Sequence, residues 1–377
     1  MDRKLKALFL IDEYLPNISQ AIRTVDNYAT YLSSYWSVTV ATLQDTVIGK
    51  EVDYRMISAK NKKDLKYILL SERYDIVYVH SSSLLAIAKL IADKNNVPVV
   101  TTLHTNELAN IVKRNKIKMF AKKEIARYIR ILNFMDEVFV SSPFVAEDLR
   151  ENGFVGKVSY LPLGSDLDTD TRKTKLLEVA NNEYNLKDCK NVLVSVGNVR
   201  KTKRFDFVLK ALKVVKDRGV DFKYFVVGPG EEIGSLQSLA KKLEISDNVS
   251  FLGKTQDYKM SALLARADVL LYPSTYDYYG MAKIESAGFG TAGIYIQDSF
   301  VSSEVFDQIN GYVSNNSIID YAETIVNVLS NKTQLKKVGS NAYNDLYITW
   351  DQCSERLKSR IEGIIIEQNK LSRRLKK

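Results

Sequence analysis

At 377 residues the chain is long enough for two domains with cores of their own, and its 45% apolar content is that of an ordinary globular protein. A net charge of +9 favours anionic partners (nucleotide phosphates, anionic lipid head groups or nucleic acid) without choosing among them. Two cysteines, Cys189 and Cys353, with no C-x-x-C spacing, argue against a disulfide framework or a structural zinc site and fit a reducing compartment. No apolar run approaches the ~18 residues of a membrane span. The apolar start, residues 7–11, is too short for a signal peptide and is followed at once by acids. A location inside the cell is expected.

Taken in order, the chain alternates apolar runs with amphipathic stretches. Residues 6–12 (KALFLID) read as a strand. A loop over 13–22 follows, carrying Pro16, Ser19 and Gln20, and then a helix over 23–34. Further strands are predicted over 38–42, 74–80, 97–103, 137–141 and 158–161, with helices over 84–92 and 143–152. The pattern then restarts. Strands over 191–197, 222–228, 249–252, 269–271 and 292–296 alternate with helices over 205–217, 233–243, 259–266, 318–330 and 333–347. Such alternation builds parallel βαβ units and open α/β sheets, whose ligands bind at the C-terminal edges of the strands. The polar stretch near 164–171 is the predicted joint. It gives domains over 1–165 and 166–347, with a charged, helical tail over 348–377. Asp168-Thr169-Asp170 spells D-x-D but falls in that joint.

The stretch 272–293 (YPSTYDYYGMAKIESAGFGTAG) follows a buried strand and holds Asp277, Gly280 and Glu285. A strand that delivers a loop onto a helix N-terminus is a ready anion site, because free N–H groups and the positive dipole end point at the loop. Gly280 permits close approach of the backbone, and Met281 and Ala282 open the helix. Glu285 lies about two turns along it, so the two acids need not share a role; an acid pair alone is more often solvated. Gly197 ends a strand and begins GNVRKTKRFD, where a lysine can reach a diphosphate. Arg200, Lys201 and Arg204 in that turn read as solvated. Gly228 ends another strand in VVGPGEE, a G-x-G that is weak by itself. The two histidines, His80 and His104, both end predicted parallel strands. A lone histidine is more often structural, and with no carboxylate at ligand spacing a metal site is not expected.

The run 277–285, D-Y-Y-G-M-A-K-I-E, resembles the E-G-F-G-x-x-x-x-E signature of retaining glycosyltransferases of the GT-B fold, family 4 (glycosyl transferases group 1). Asp277 stands for the first glutamate. The turn after Gly197 is similar to the family's G-R-x-x-x-x-K-G, with Lys203 on the lysine and Asn198 at the arginine. The first loop, where P-x-x-G-G is usual, has Ser19 and Gln20 at the glycines. The resemblance implies two Rossmann-like doubly wound domains with a cleft between them, and a C-terminal helix crossing back to the first. It implies transfer of a hexose, with retention, from a UDP- or GDP-sugar to a hydroxyl of a lipid or cell-envelope glycan, with no cofactor and no metal. It also implies catalytic parts for His104, Asp277 and Glu285, the first two facing the sugar. Donor binding would fall to Gly197, Lys203, Gly228, Gly280, Met281, Ala282 and Glu285, and the acceptor side to Pro16, Ser19, Gln20 and His80.

Residues 113–130 carry eight Lys/Arg against one Glu, interleaved with Ile117, Phe120, Ala121, Ile125, Tyr128 and Ile129. Such a helix can lie on an anionic membrane. A helix with its stripe on the core is the slightly favoured alternative. Nucleic-acid binding is not expected, because no recognised motif accompanies the charge. The expected location is therefore cytoplasmic, or peripheral on the inner face of the membrane. A homo- or hetero-oligomer stays open. Two rival readings are a catalytically silent GT-B subunit that stabilises a partner transferase and a GT-B nucleotide-sugar epimerase.

Overall fold

The computed structural model describes residues 3–17, 19–44, 51–115, 117–165 and 173–374; the D-x-D letters at 168–170 lie outside the described residues. The chain divides into two compact units, Met1–Leu163 with Trp350–Lys377, and Gly164–Thr349.

Seven strands make the sheet of the first unit: β1 (Lys6–Ile11), β2 (Ser37–Thr42), β3 (Arg55–Ser58), β4 (Ile76–Val79), β5 (Val99–Thr102), β6 (Glu137–Val140) and β7 (Val158–Tyr160). All pair in parallel, in the order β3-β2-β1-β4-β5-β6-β7. Parallel sheets covered on both faces need continuous apolar strands; β4 (IVYV) is buried throughout and β1 (KALFLI) from its second residue on. The sequence reading lacks β3, because only Ile57 of its four residues is buried and no apolar run marks it.

The second unit holds β8 (Val192–Val196), β9 (Lys223–Val227), β10 (Val249–Gly253), β11 (Val269–Tyr272), β12 (Gly293–Ile296) and β13 (Tyr312–Ser314), again parallel, in the order β10-β9-β8-β11-β12-β13. Successive side chains of a strand point to opposite faces. Accordingly Leu193, Tyr224, Val226, Val269, Leu271 and Ile294 join one apolar cluster, while Val194, Phe225, Val227, Leu270, Tyr272 and Tyr295 join another. In each unit the strand order reverses once, between β1 and β4 and between β8 and β11. Such a reversal opens a crevice at the C-terminal edge, where ligands of α/β sheets bind.

The helix Trp350–Arg374 belongs to the first unit because its apolar residues recur every three or four positions: Trp350, Cys353, Leu357, Ile361 and Ile364 are all buried. Tyr28 Oη lies 3.1 Å from Cys353 Sγ, which donates to the Pro162 carbonyl at 2.6 Å, and Tyr31 donates to Glu355 at 2.9 Å.

The basic segment differs from the single helix expected. It forms two, Glu107–Arg114 and Lys118–Leu132. Asn115 between them is extended, and its side chain donates back to the Ile111 carbonyl (2.8 Å) and to Glu124 (2.6 Å), competing with helix continuation. The expected stripe divides as well. Ala121, Tyr128 and Ile129 are buried, whereas Ile117 and Phe120 are exposed beside Val112 and Met119. Among the described residues no helix is long and apolar enough to cross a membrane.

Candidate active site

At the reversal in the second unit, three loops leave β8, β9 and β11. Gly197 follows β8 and Gly228 follows β9, both at positive φ (144° and 135°). The Gly197 amide donates to the Val227 carbonyl at 2.9 Å, and a Cβ on Gly228 would sit 2.1 Å from the Gly197 oxygen. Backbone therefore meets backbone with no room for a side chain. Gly228→Ala is expected to destabilise this unit by roughly 3 kcal/mol. Gly219→Ala, also at positive φ but with nothing within 4 Å of its Cβ, should cost about 1 kcal/mol. Urea unfolding of the two variants checks the difference.

The loop after β11 ends at Gly280 (φ 62°), the N-cap of the helix Met281–Gly288. A Cβ there would lie 2.6 Å from Val301 Cγ1. Among the described residues no side chain caps this helix, so its N-terminus, with Met281 and Ala282, keeps the donor character the sequence suggests. Within the loop, Asp277 Oδ2 accepts from Lys203 Nζ at 2.7 Å and from Tyr272 Oη at 2.7 Å. Lys203 Nζ also stands 3.5 Å from Tyr272 Oη and 5.5 Å from its ring centre. The side chains of Lys203 and Asp277 are each about one-fifth exposed. The residue expected on the sugar and the residue expected on the phosphates are thus held together. Burial and the nearby Asp277 carboxylate push the Tyr272 hydroxyl well above its ordinary range, and Glu285 adds to the push.

Two residues here escape the sequence reading. Arg204, read as solvated, instead donates to the Pro273 carbonyl (3.2 Å) and to Asn316 (2.6 Å) and stacks on Phe207. It fastens the β11 loop, and its left-handed backbone (φ 57°) ends the short turn before the helix Phe205–Asp217. Lys201 and Arg200 are exposed, as read. Lys283 is almost fully buried and donates to the Val301 carbonyl (3.2 Å) and Glu304 (2.6 Å). The signal for it was a lysine between the buried Ala282 and Ile284.

At the reversal in the first unit lies a cavity of about 250 Å³, lined by residues that include Asp12, Ser81, Thr102, His104, Glu107 and His80. Asp12 follows β1, and its carboxylate accepts from Ser81 (2.6 Å) and Ser83 (3.0 Å). His80 Nδ1 lies 2.9 Å from His104 Nε2, with the ring centres 5.2 Å apart and the ring planes at 26°. Burial pushes His104 down to about 3 and His80 well below its ordinary range, with His104 adding to the latter. Both are neutral at pH 7. The unfolded chain protonates near 6.5 and the folded chain does not, so stability is full above 6.5 and falls as pH drops below it. The expected slope is about 1.4 kcal/mol per pH unit for each ring. Urea midpoints at pH 7.5 and 5.5 measure it. Of the other residues expected on the acceptor side, Pro16 sits in the turn closed by the Asn17 amide on the Tyr14 carbonyl (3.2 Å). Ser19, in place of a glycine, accepts from the Ile22 amide at 3.2 Å and caps the helix that Gln20 begins.

The glycosyl transferases group 1 family model matches residues 178–345, and the glycosyltransferase family 4 model matches residues 46–169. N-acetyl-alpha-D-glucosaminyl L-malate synthase of Bacillus anthracis is 28% identical over 184 residues, 48% of this chain and 47% of that protein. Alpha-monoglucosyldiacylglycerol synthase of Streptococcus pneumoniae is 22% identical over 322 residues, 80% of this chain and 73% of that protein. The crystal structure of Anabaena Alr3699/HepE in complex with UDP matches with a TM-score of 0.80 at 15% identity, covering 95% of this chain and 100% of that one. With two parallel-sheet Rossmann-like units and a family model on each, the chain belongs to the GT-B glycosyltransferases of family 4, enzymes of the hexosyltransferase class.

Proposed function

We propose that the chain transfers a hexose from a UDP- or GDP-sugar to a hydroxyl of a lipid or cell-envelope glycan, with retention of anomeric configuration. The observation that carries this reading is the convergence of Lys203, Asp277, Tyr272 and the Gly280 helix at the strand-order reversal of the second unit. The chemical task is to stabilise a departing diphosphate and a sugar with oxocarbenium character. Lys203 and the Gly280 helix N-terminus supply positive charge for the diphosphate. In this reading Asp277 releases Lys203 as the donor enters and turns to the sugar, Glu285 orients the nucleotide, and His104 contacts the sugar. The relatives lend support: the Anabaena protein was crystallised with UDP, and the Streptococcus pneumoniae protein is named for a glucosylated diacylglycerol. The transfer proceeds without a bound metal, so turnover should persist in excess EDTA.

UDP or GDP should raise the melting temperature, and a labelled UDP- or GDP-hexose should be slowly hydrolysed, with loss of hydrolysis in Glu285→Ala. No nucleotide binding in calorimetry would sink the reading in favour of a silent subunit. Release of a 2-epimerised sugar would favour the epimerase.

The chain works in the cytoplasm, at the inner face of the membrane. Exposed Val112, Ile117, Met119 and Phe120 stand among Lys113, Arg114, Lys118, Lys122 and Lys123, a composition suited to anionic lipid. Reversing Lys118, Lys122 and Lys123 to glutamate should abolish sedimentation with phosphatidylglycerol vesicles; unchanged sedimentation defeats the attachment.

A further inference from the structure

We propose that Arg204 is a positioning residue: its guanidinium ties the β8, β11 and β13 loops together and so fixes Lys203 against Asp277 in the geometry that the donor diphosphate meets. The part in catalysis rests on the transfer proposed above; the hold on Lys203 does not.

Arg204 stands at φ 57°, a left-handed backbone that glycine takes freely and a long side chain does not. Strain of this kind persists only where the surroundings over-determine it, and it gathers at ligand sites. Here the side chain is held in three ways. Nη1 of the guanidinium donates to the Pro273 carbonyl (3.2 Å), Nη2 donates to Asn316 Oδ1 (2.6 Å), and Cζ lies 4.5 Å from the centre of the Phe207 ring. Pro273 follows β11 and Asn316 lies two residues past β13, so one side chain joins three loops at the C-terminal edge of the sheet. A lysine has no fork with which to reach both partners. With both terminal nitrogens engaged, Arg204 acts through its neighbour and not on the phosphates itself.

That neighbour needs holding. Lys203 ends a three-residue turn, Lys201–Lys203, which has no side-chain cap among the described residues. Its own side chain is long and flexible. It reaches across Gly197, where an added Cβ would lie 3.5 Å from Lys203 Cε and Nζ, before meeting Asp277 and Tyr272. Three consecutive residues grip the β11 loop: the Thr202 carbonyl accepts from Ser274 Oγ at 3.3 Å, Lys203 pairs with Asp277, and Arg204 takes Pro273. Arg204 extends that grip to the β13 loop. Without it, one long hydrogen bond from Ser274 is left beside the ion pair to hold the two loops in register. A misplacement of ~1 Å in a group that meets the reacting atoms can cost about 10²-fold in rate.

Arg204→Gly and Arg204→Ala in the full-length protein separate the side chain from the backbone. Glycine relieves the left-handed strain and alanine keeps it, so the glycine variant should melt higher than the alanine one, whereas both lose the grip equally. Both should lower kcat/KM for a UDP- or GDP-hexose about tenfold, and in a Lys203→Ala background Arg204→Gly should add no more than about twofold. With no donor present, acetylation of lysines followed by mass spectrometry should find Lys203 slow in the parent and several-fold faster in both variants, with the exposed Lys241 unchanged. Unchanged Lys203 labelling in Arg204→Gly overturns the proposal, as does a tenfold loss that persists without Lys203. If neither variant folds, Asn316→Ala, which cuts one exposed arm of the grip, should speed Lys203 labelling, and no change there overturns the proposal equally. A parent that binds neither UDP nor GDP would sink the transfer reading and leave the labelling to judge the hold on Lys203.

Discussion

Lys203→Ala is expected to lower kcat/KM for a nucleotide sugar by about 10²–10³-fold, the usual cost of removing one preorganised group that meets developing charge. The lysine side chain is only one-fifth exposed and its head group is fixed by Asp277 and Tyr272 before any donor arrives. Little reorganisation is then needed when the diphosphate takes its place. The fold should hardly notice the change, because Asp277 keeps Tyr272 as a donor and part of its surface in water. Asp277→Asn separates the two parts proposed for this acid. If Asp277 serves only to hold Lys203, donor KM rises and kcat stays; if it also meets the sugar, kcat falls as well. Steady-state kinetics with matched melting curves read both. A loss smaller than tenfold for Lys203→Ala would remove the lysine from the donor site.

The second large effect is on stability. Arg360→Ala should cost the first unit about 3 kcal/mol, at the low end of the ~3–5 kcal/mol for stripping a partner from a buried charge. Glu137 opens β6 and is 1% exposed. Arg360 Nε donates to its Oε1 at 2.6 Å, and the other arm of the guanidinium reaches Oε2. The arginine side chain is one-third exposed, so water can partly replace it, which is why the lower figure is taken. Converting both residues to leucine should regain most of the loss, since the penalty comes from the stranded carboxylate. Urea titration of the parent and the two variants measures this, and an Arg360→Ala variant within about 0.5 kcal/mol of the parent would show that Glu137 is not stranded.

Apolar runs such as VLLY and NVLVSVG announced strands, and helical spacing of Trp350, Cys353, Leu357 and Ile361 announced the last helix, because both periods are written in neighbouring residues. Gly280 could be singled out for the same reason, since it stands between a strand and a helix. Where side chains competed with the backbone, as at Asn115, the local pattern misled. Exposed β3 gave no pattern to read.

By itself, then, the amino-acid sequence determined the order and kind of most elements, the restart of the strand–helix pattern that makes a second parallel sheet, and which short stretches carry chemistry. Only the tertiary structure decided who meets whom: Lys203 with Asp277 across 74 positions, His80 with His104 across 24, Arg360 with Glu137 across 223. Those meetings follow from strand order and from where each sheet reverses, which are settled by packing of faces far apart in the chain and leave no mark on local periodicity.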